Sequence, residues 1–77
     1  MITPVQCKMA RAALGWSSRD LAERAQVGIA TVNRFETEAR DPNPATLAAI
    51  KRALEEGGVA FIPQNGGGPG VRLKDPL

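Results

Sequence analysis

Apolar residues recur at helical spacing in four runs along the chain, separated by short polar or glycine-containing breaks. In the first run, Thr3 and Gln6 have the spacing of a capping box, with a proline at the first helical position. Gly15 stands where glycine commonly ends a helix. We therefore predict a first helix from about Pro4 to Leu14, whose apolar face is formed by Val5, Met9, Ala12 and Ala13.

The chain is organised around the segment from Ser17 to Arg40, which contains two shorter amphipathic runs joined by a tight turn. Ser17 can cap the first run, which we expect to be helical from about Ser18 to Ala25. The pattern breaks at Gln26-Val27-Gly28, and the next helix is expected from about Ile29 to Thr37. Helices this short need neighbours to cover their apolar faces, and their arrangement is that of a helix-turn-helix motif.

Residues 38–44 are predicted to form a loop, because their Asp-Pro and Asn-Pro steps disfavour helix. Asn43 can cap a fourth helix that has Pro44 in its first position. Its apolar stripe is expected to consist of Leu47, Ile50 and Leu54, and two glycines at positions 57 and 58 end it.

The C-terminal residues 58–77 change character. Two short apolar segments, 59–62 and 71–74, have strand propensity and flank a glycine-rich loop, which predicts a β-hairpin. Because an isolated hairpin is marginal in water, we expect this tail to support dimerisation. The predicted dimer interface consists of its large apolar side chains: Val59, Phe61, Ile62, Val71 and Leu73.

The predicted fold is therefore mainly α. It is a compact four-helix domain over residues 1–57, followed by a short C-terminal β-hairpin or strand extension over residues 58–77.

Composition narrows the function classes. With 77 residues the chain forms one small domain. It has one cysteine and no histidine. This composition excludes a disulfide framework, a zinc site and the usual arrangements for nucleophilic catalysis. We therefore expect no metal, no cofactor and no enzymatic activity. The net charge of +2 fits a partner contacted by a few placed cations without requiring nucleic acid. No apolar run is long enough to span a membrane, and we expect a cytoplasmic protein.

Several segments, in this order and spacing, resemble the XRE (lambda-repressor/Cro-like) transcriptional regulators. The resemblance covers about residues 3–57 and rests on Ala13-Leu14-Gly15-Trp16-Ser17, Leu21-Ala22, Val27, Ala30-Thr31-Val32, Phe35-Glu36 and Pro44-Ala45-Thr46-Leu47. It implies a compact helical domain that binds double-stranded DNA as a homodimer, on palindromic or near-palindromic operators. The third helix would enter the major groove.

The resemblance also implies which positions contact DNA. At the start of the second helix they are Ser17, Ser18 and Arg19; in and around the third helix they are Gly28, Ile29, Ala30, Thr31, Asn33, Arg34 and Arg40. Three of these residues depart from the family pattern. Glutamine is frequent where Ser18 stands, serine or threonine where Gly28 stands, and a long polar residue where Ile29 stands. The weight of recognition therefore shifts toward Thr31, Asn33, Arg34, Arg19 and Arg40.

Four residues have a structural interpretation beside a functional one. Ile29 either packs in the core or contacts thymine methyl groups, and both options stay open. Trp16 precedes a helix cap, which favours packing over ligand binding. Cys7 has no neighbour that marks a reactive thiolate. Glu36 is expected to be structural and paired with a cation, for which Arg11 and Arg40 are the candidates.

Two functions follow from these observations. The first is a DNA-binding transcriptional regulator that acts as a homodimer. The alternative is a protein-binding module on the same fold, an antiactivator or antitoxin-like partner of another regulatory protein, because the start of the third helix is poor in base-reading side chains. The glycine-rich loop is not a phosphate cradle, since it lacks the Lys-Ser/Thr pair and no helix follows it.

Overall fold

A computed structural model describes residues 1–75, and it confirms a mainly α fold that ends in a two-stranded hairpin. The helices are α1 (Pro4–Leu14), α2 (Ser18–Ala25), α3 (Ile29–Glu36) and α4 (Pro44–Gly57), and the strands are β1 (Val59–Ile62) and β2 (Gly70–Leu73). The predicted helix limits are confirmed to within one residue, since Thr37 is the C-cap of α3 rather than its last helical residue.

Side-chain caps explain why three helices begin where they do. Thr3 and Gln6 form the predicted capping box of α1, and Asn43 accepts from the Thr46 N–H at 2.8 Å at the start of α4. In α2, the Ser17 hydroxyl accepts from the Asp20 N–H at 3.0 Å while the Asp20 carboxylate accepts from the Ser17 N–H at 2.9 Å. The hydrogen bond from the Ser17 backbone lowers the pKa of Asp20.

The core lies between α2, α3 and α4, and α1 and the hairpin close it. Its largest fully buried side chains come from all four helices and from β1: Cys7, Leu21, Val32, Ile50, Leu54 and Val59. Val59 belongs to β1, so the hairpin contributes to the same core as the helices.

The apolar face predicted for α1 is wrong. The helix buries Gln6, Cys7 and Ala10, whereas Val5 is 51% exposed and Ala12 and Ala13 are exposed. The reason is that α1 makes its tertiary contacts through polar groups as well as apolar ones. A buried polar group is tolerated where it is hydrogen-bonded, and the hairpin and α3 provide such partners for the polar groups of α1.

Gln6 is the first of these polar contacts. Its side-chain oxygen accepts from the Thr3 N–H at 2.9 Å. Its side-chain nitrogen donates to the Ile62 carbonyl at 3.1 Å and to the Gly70 carbonyl at 3.0 Å, which joins α1 to both strands of the hairpin. One amide thus caps α1 and holds the hairpin against it.

The second polar contact is an ion pair between α1 and α3. Arg11 donates to both carboxylate oxygens of Glu36, at 2.7 and 2.6 Å, and also to the Trp16 carbonyl at 3.0 Å. The Cys7 thiol lies 3.1 Å from the same carboxylate. Of the two partners proposed for Glu36, the structure therefore selects Arg11. The hydrogen bond to Glu36 raises the pKa of Arg11, and burial raises the pKa of Cys7 far above its usual range.

The hairpin pairs within the chain, in antiparallel register from Val59 with Leu73 to Ile62 with Gly70. Alternation places Val59, Leu73, Phe61 and Val71 on the face that packs against the core. Four of the five residues predicted for a dimer interface thus face the subunit's own core, and Val59 has no exposed surface. Ile62 is on the outward face and is 36% exposed. Lys74 extends the pairing, with its N–H donating to the Gly58 carbonyl at 2.8 Å.

Trp16 is half-buried against the C-terminal end of α4, so the packing interpretation of this residue agrees with the structure. Arg24 of α2 stacks over its ring at 4.4 Å from the centroid, in a cation–π arrangement. A Cβ placed on Gly57 would lie 2.6 Å from two carbons of this ring and 2.9 Å from a Leu14 methyl carbon. Gly57 is therefore the residue that lets the indole approach α4.

We expect Gly57→Ala to destabilise the domain. In a helix this change alone would stabilise by about 0.5–1 kcal/mol. Displacing a packed ring costs about 1–3 kcal/mol, so the mid-range difference predicts a net loss of about 1 kcal/mol in the free energy of unfolding. Urea denaturation measures it. Gly67→Ala is the matched control, because a Cβ there meets nothing within 4 Å. Equal stabilities of the two variants would contradict the role of Gly57.

We expect Glu36→Gln to lower the free energy of unfolding by about 2–3 kcal/mol. Removing one partner leaves the other charge buried without compensation, and the loss is smaller than for a fully buried pair because the Arg11 side chain is 20% exposed. Thermal denaturation checks it against Glu38→Gln, which changes an exposed glutamate close by. A Glu36→Gln variant as stable as this control would show that the pair contributes nothing to the fold.

Candidate nucleic-acid interface

Helix α3 presents one face to solvent and buries the opposite one. Val32, Phe35 and Glu36 are buried. Ala30, Asn33 and Arg34 are exposed, and their spacing of three and four residues puts them side by side on the outer surface. The scaffold and the candidate reading residues therefore occupy opposite sides of the same short helix.

The start of α3 has no polar side chain before Thr31. Gly28 is the N-cap and provides no side-chain hydrogen bond, in agreement with the weakened cap expected there. Ile29 is 39% exposed, which decides against the core interpretation of this residue. Thr31 is half-buried and turns back toward Gly28, with its hydroxyl 3.8 Å from where a Cβ of that residue would lie.

The turn before α3 is held by the backbone. Gln26 ends α2 with φ +59°, a left-handed conformation that glycine adopts more easily. Its N–H and that of Val27 donate to carbonyls in the last turn of α2, the latter at 3.0 Å to Ala22. These bonds close the C-terminal end of α2, so the turn begins at a defined residue.

A polar hollow lies beside the outer face of α3. It is lined by Thr31 and Arg34 from α3, by Arg40, Asp41 and Pro42 from the following loop, and by Asn43 and Thr46 from the start of α4. Three residues predicted from the sequence are thus brought together, namely Thr31, Arg34 and Arg40. The positive end of the α4 dipole at Asn43 adds to the attraction for an anion.

The arginines of the hollow are available to bind an anion. Among residues 1–75 the only salt bridge joins Arg11 to Glu36, so Arg34 and Arg40 have no carboxylate within 4.0 Å there. Asp41 shares the hollow and moderates its charge without pairing with either arginine. Two unpaired guanidinium groups at one surface suit phosphate oxygens, which they can contact through two parallel hydrogen bonds.

The candidate residues at the start of α2 do not line this hollow. The Ser17 hydroxyl is engaged as the α2 cap, Ser18 is half-buried and Arg19 is exposed. Arg19 also has no salt-bridge partner within the part of the chain that the structure describes.

Comparison with known protein families decides the classification. The chain matches the helix-turn-helix family over residues 8–58, which covers all of α2, α3 and α4 and most of α1. The chain belongs to this helix-turn-helix family. The resemblance to XRE-type DNA-binding regulators is confirmed, and α2 and α3 are the two helices of the motif. No curated protein matches the chain in a sequence search.

In this helix-turn-helix protein, sequence reasoning missed Asn43 and Thr46 as neighbours of the candidate DNA contacts. The sequence marked Asn43 only as a cap. The available signal was that Asn43 follows Arg40 by only three residues. A helix that starts so close to a predicted phosphate contact places its N-terminal end near the same phosphate. Among residues 1–75, no helix has the length and apolar character needed to cross a membrane.

Proposed function

We propose that this helix-turn-helix protein is a sequence-specific transcriptional regulator that binds a palindromic or near-palindromic operator as a homodimer. One observation carries the proposal: the exposed outer face of α3 includes Arg34 and lies beside Arg40, and neither guanidinium group has a carboxylate partner in residues 1–75. DNA offers both phosphates and guanine edges for such cations, and further base edges for the rest of the helix face.

In this proposal Asn33 and Arg34 contact base edges. An asparagine amide matches the edge of adenine and a guanidinium matches that of guanine. Arg40, Thr31, Asn43 and the start of α4 contact phosphates on one side of α3. Ser17, Ser18 and Arg19 contact phosphates on the other side, through the start of α2.

The homodimer is proposed to form through the free side of β1. Strand β1 has β2 on one side and no further strand on the other within residues 1–75. Its four residues carry no charge, whereas β2 carries Arg72 and is followed by Lys74. Pairing two copies of β1 across a two-fold axis would extend the sheet without placing like charges opposite each other. Ile62, and the partly exposed Phe61, would be covered; Val71 and Leu73 support the strand from the core side.

A protein-binding function remains the second candidate, on the strength of α1. Val5, Ala12 and Ala13 are exposed on its outward face and Met9 beside them is half-buried, so the subunit's core leaves most of this stripe uncovered. Another regulatory protein could cover this stripe. Two results together would favour this candidate over the regulator. The protein would bind a partner protein in a stoichiometric complex, and it would bind all DNA duplexes with the same affinity.

We expect the protein to bind DNA from upstream of its own gene more tightly than random duplex, as measured by fluorescence anisotropy at moderate salt. Asn33→Ala or Arg34→Ala should each weaken specific binding by about 1–3 kcal/mol. Arg40→Ala should weaken specific and random duplex equally and reduce the salt slope by about one.

Arg52→Ala is the matched control for these arginine variants, since it removes the same charge from an exposed position of α4 that does not line the hollow. If Arg34→Ala and Arg52→Ala lower the affinity for the specific duplex equally, the loss comes from net charge and not from a base contact of Arg34. A protein that binds all duplexes alike would exclude the proposed function.

We expect Ile62→Glu to convert the dimer into a monomer, because it would introduce two carboxylates into a strand pairing that is otherwise apolar and uncharged. Sedimentation equilibrium measures the mass. Gln64→Glu adds the same charge in the exposed loop after β1 and should leave the dimer intact. A wild-type protein that stays monomeric, or an Ile62→Glu variant that stays dimeric, would rule out this interface.

A further inference from the structure

The first turn of α3 is an exposed apolar surface on a helix otherwise suited to polar contacts. Ile29 is the only large apolar side chain that is exposed on α2, α3 or α4 in the described part of the chain. Ala30 is exposed beside it, and Gly28 before it is exposed and has no side chain. Half-exposing an isoleucine forfeits part of the free energy that its burial would contribute, so the position is suited to contact with a partner.

This apolar surface is continuous with the polar residues of α3. Ile29 and Asn33 are four residues apart, as are Ala30 and Arg34, so each pair is adjacent along the outer face of the helix. Arg34 in turn lines the hollow with Arg40. The surface therefore consists of a small apolar patch bordered by an amide and by cations.

The polar residues around the apolar patch indicate the kind of partner that binds there. Unpaired guanidinium groups next to the patch favour a strongly anionic partner over an apolar protein surface. DNA is such a partner, and its major groove exposes an apolar group on the base edges, the methyl group at C5 of thymine. A cytosine that is methylated at C5 presents the same group at the same place in the groove.

We propose that Ile29 and Ala30 form a contact site for the 5-methyl group of a pyrimidine in the major groove. The inference rests on the proposed DNA-binding function and adds the chemistry that the first turn of α3 recognises. The operator half-site then contains a thymine, or a 5-methylcytosine, next to the base pair contacted by Asn33 or Arg34. Cytosine methylation of such a site strengthens binding instead of blocking it. Ala30 and Gly28 are small, so the helix start can approach the groove closely.

The test uses the full chain and the best duplex selected from a random pool. Each thymine of the half-site is replaced in turn by deoxyuridine, which removes only the methyl group. At the contacted thymine the affinity should fall about fourfold, the equivalent of one buried methyl-sized group. In a second arm that base pair is changed to C·G, and methylating the cytosine should raise the affinity by a similar factor. The first arm reports on thymine and the second on 5-methylcytosine.

Ile29→Ala should reduce the ratio of thymine to deoxyuridine affinity toward one, while Val5→Ala should leave it unchanged. Val5 is the matched control because it is a comparably exposed aliphatic residue on α1. Circular dichroism verifies that both variants are folded, which is expected since neither side chain is buried.

Three outcomes would overturn the proposal in distinguishable ways. In the first outcome, every deoxyuridine duplex has the same affinity as its thymine parent, but the protein still prefers the selected duplex to random DNA. The methyl site is then wrong and the regulator function stands. If Ile29→Ala retains the full methyl effect, the assignment to Ile29 is wrong. If no duplex is preferred over another, the regulator function and the methyl site both fail.

Discussion

The buried ion pair between Arg11 and Glu36 is the contact on which the arrangement of the helices depends. It joins α1 to α3 through two short hydrogen bonds, and Arg11 also holds the Trp16 carbonyl at the entrance to α2. A guanidinium group and a carboxylate fit each other in one plane, so the pair restricts rotation of both helices as well as their separation. Because Glu36 is buried at the end of α3, Asn33 and Arg34 are turned outward.

Gln6 has a corresponding role at the other end of α1. Its amide makes three side-chain hydrogen bonds, one to the N-cap of its own helix and one to each strand of the hairpin. In a small domain the hydrophobic core is limited, and directional polar contacts then have a large share in selecting one arrangement. The hairpin also contributes Val59 to the core, so the helices and the tail stabilise each other.

The division between scaffold and surface on α3 has a functional meaning. The buried face consists of Val32, Phe35 and Glu36, whereas the exposed face combines an apolar start with an amide and an arginine. A helix of this composition has few hydrogen-bond donors in its first turn, so its selectivity is proposed to come from methyl contacts, from Asn33 and Arg34, and from the shape of the DNA. Such a surface would respond to the methylation state of its site.

The sequence by itself determined the helix limits, the caps, the strands and the helix-turn-helix motif, because these depend on local hydrogen bonds and on the spacing of apolar residues. It did not determine which face of α1 is buried. The stripe from Val5 to Ala13 looked like a core face, and the structure turned it outward so that Gln6 and Arg11 could reach the hairpin and Glu36. It also left open the partner of Glu36, the exposure of Ile29 and the direction in which the hairpin side chains point. Only the tertiary structure decided these, because each depends on contacts between residues far apart in the chain.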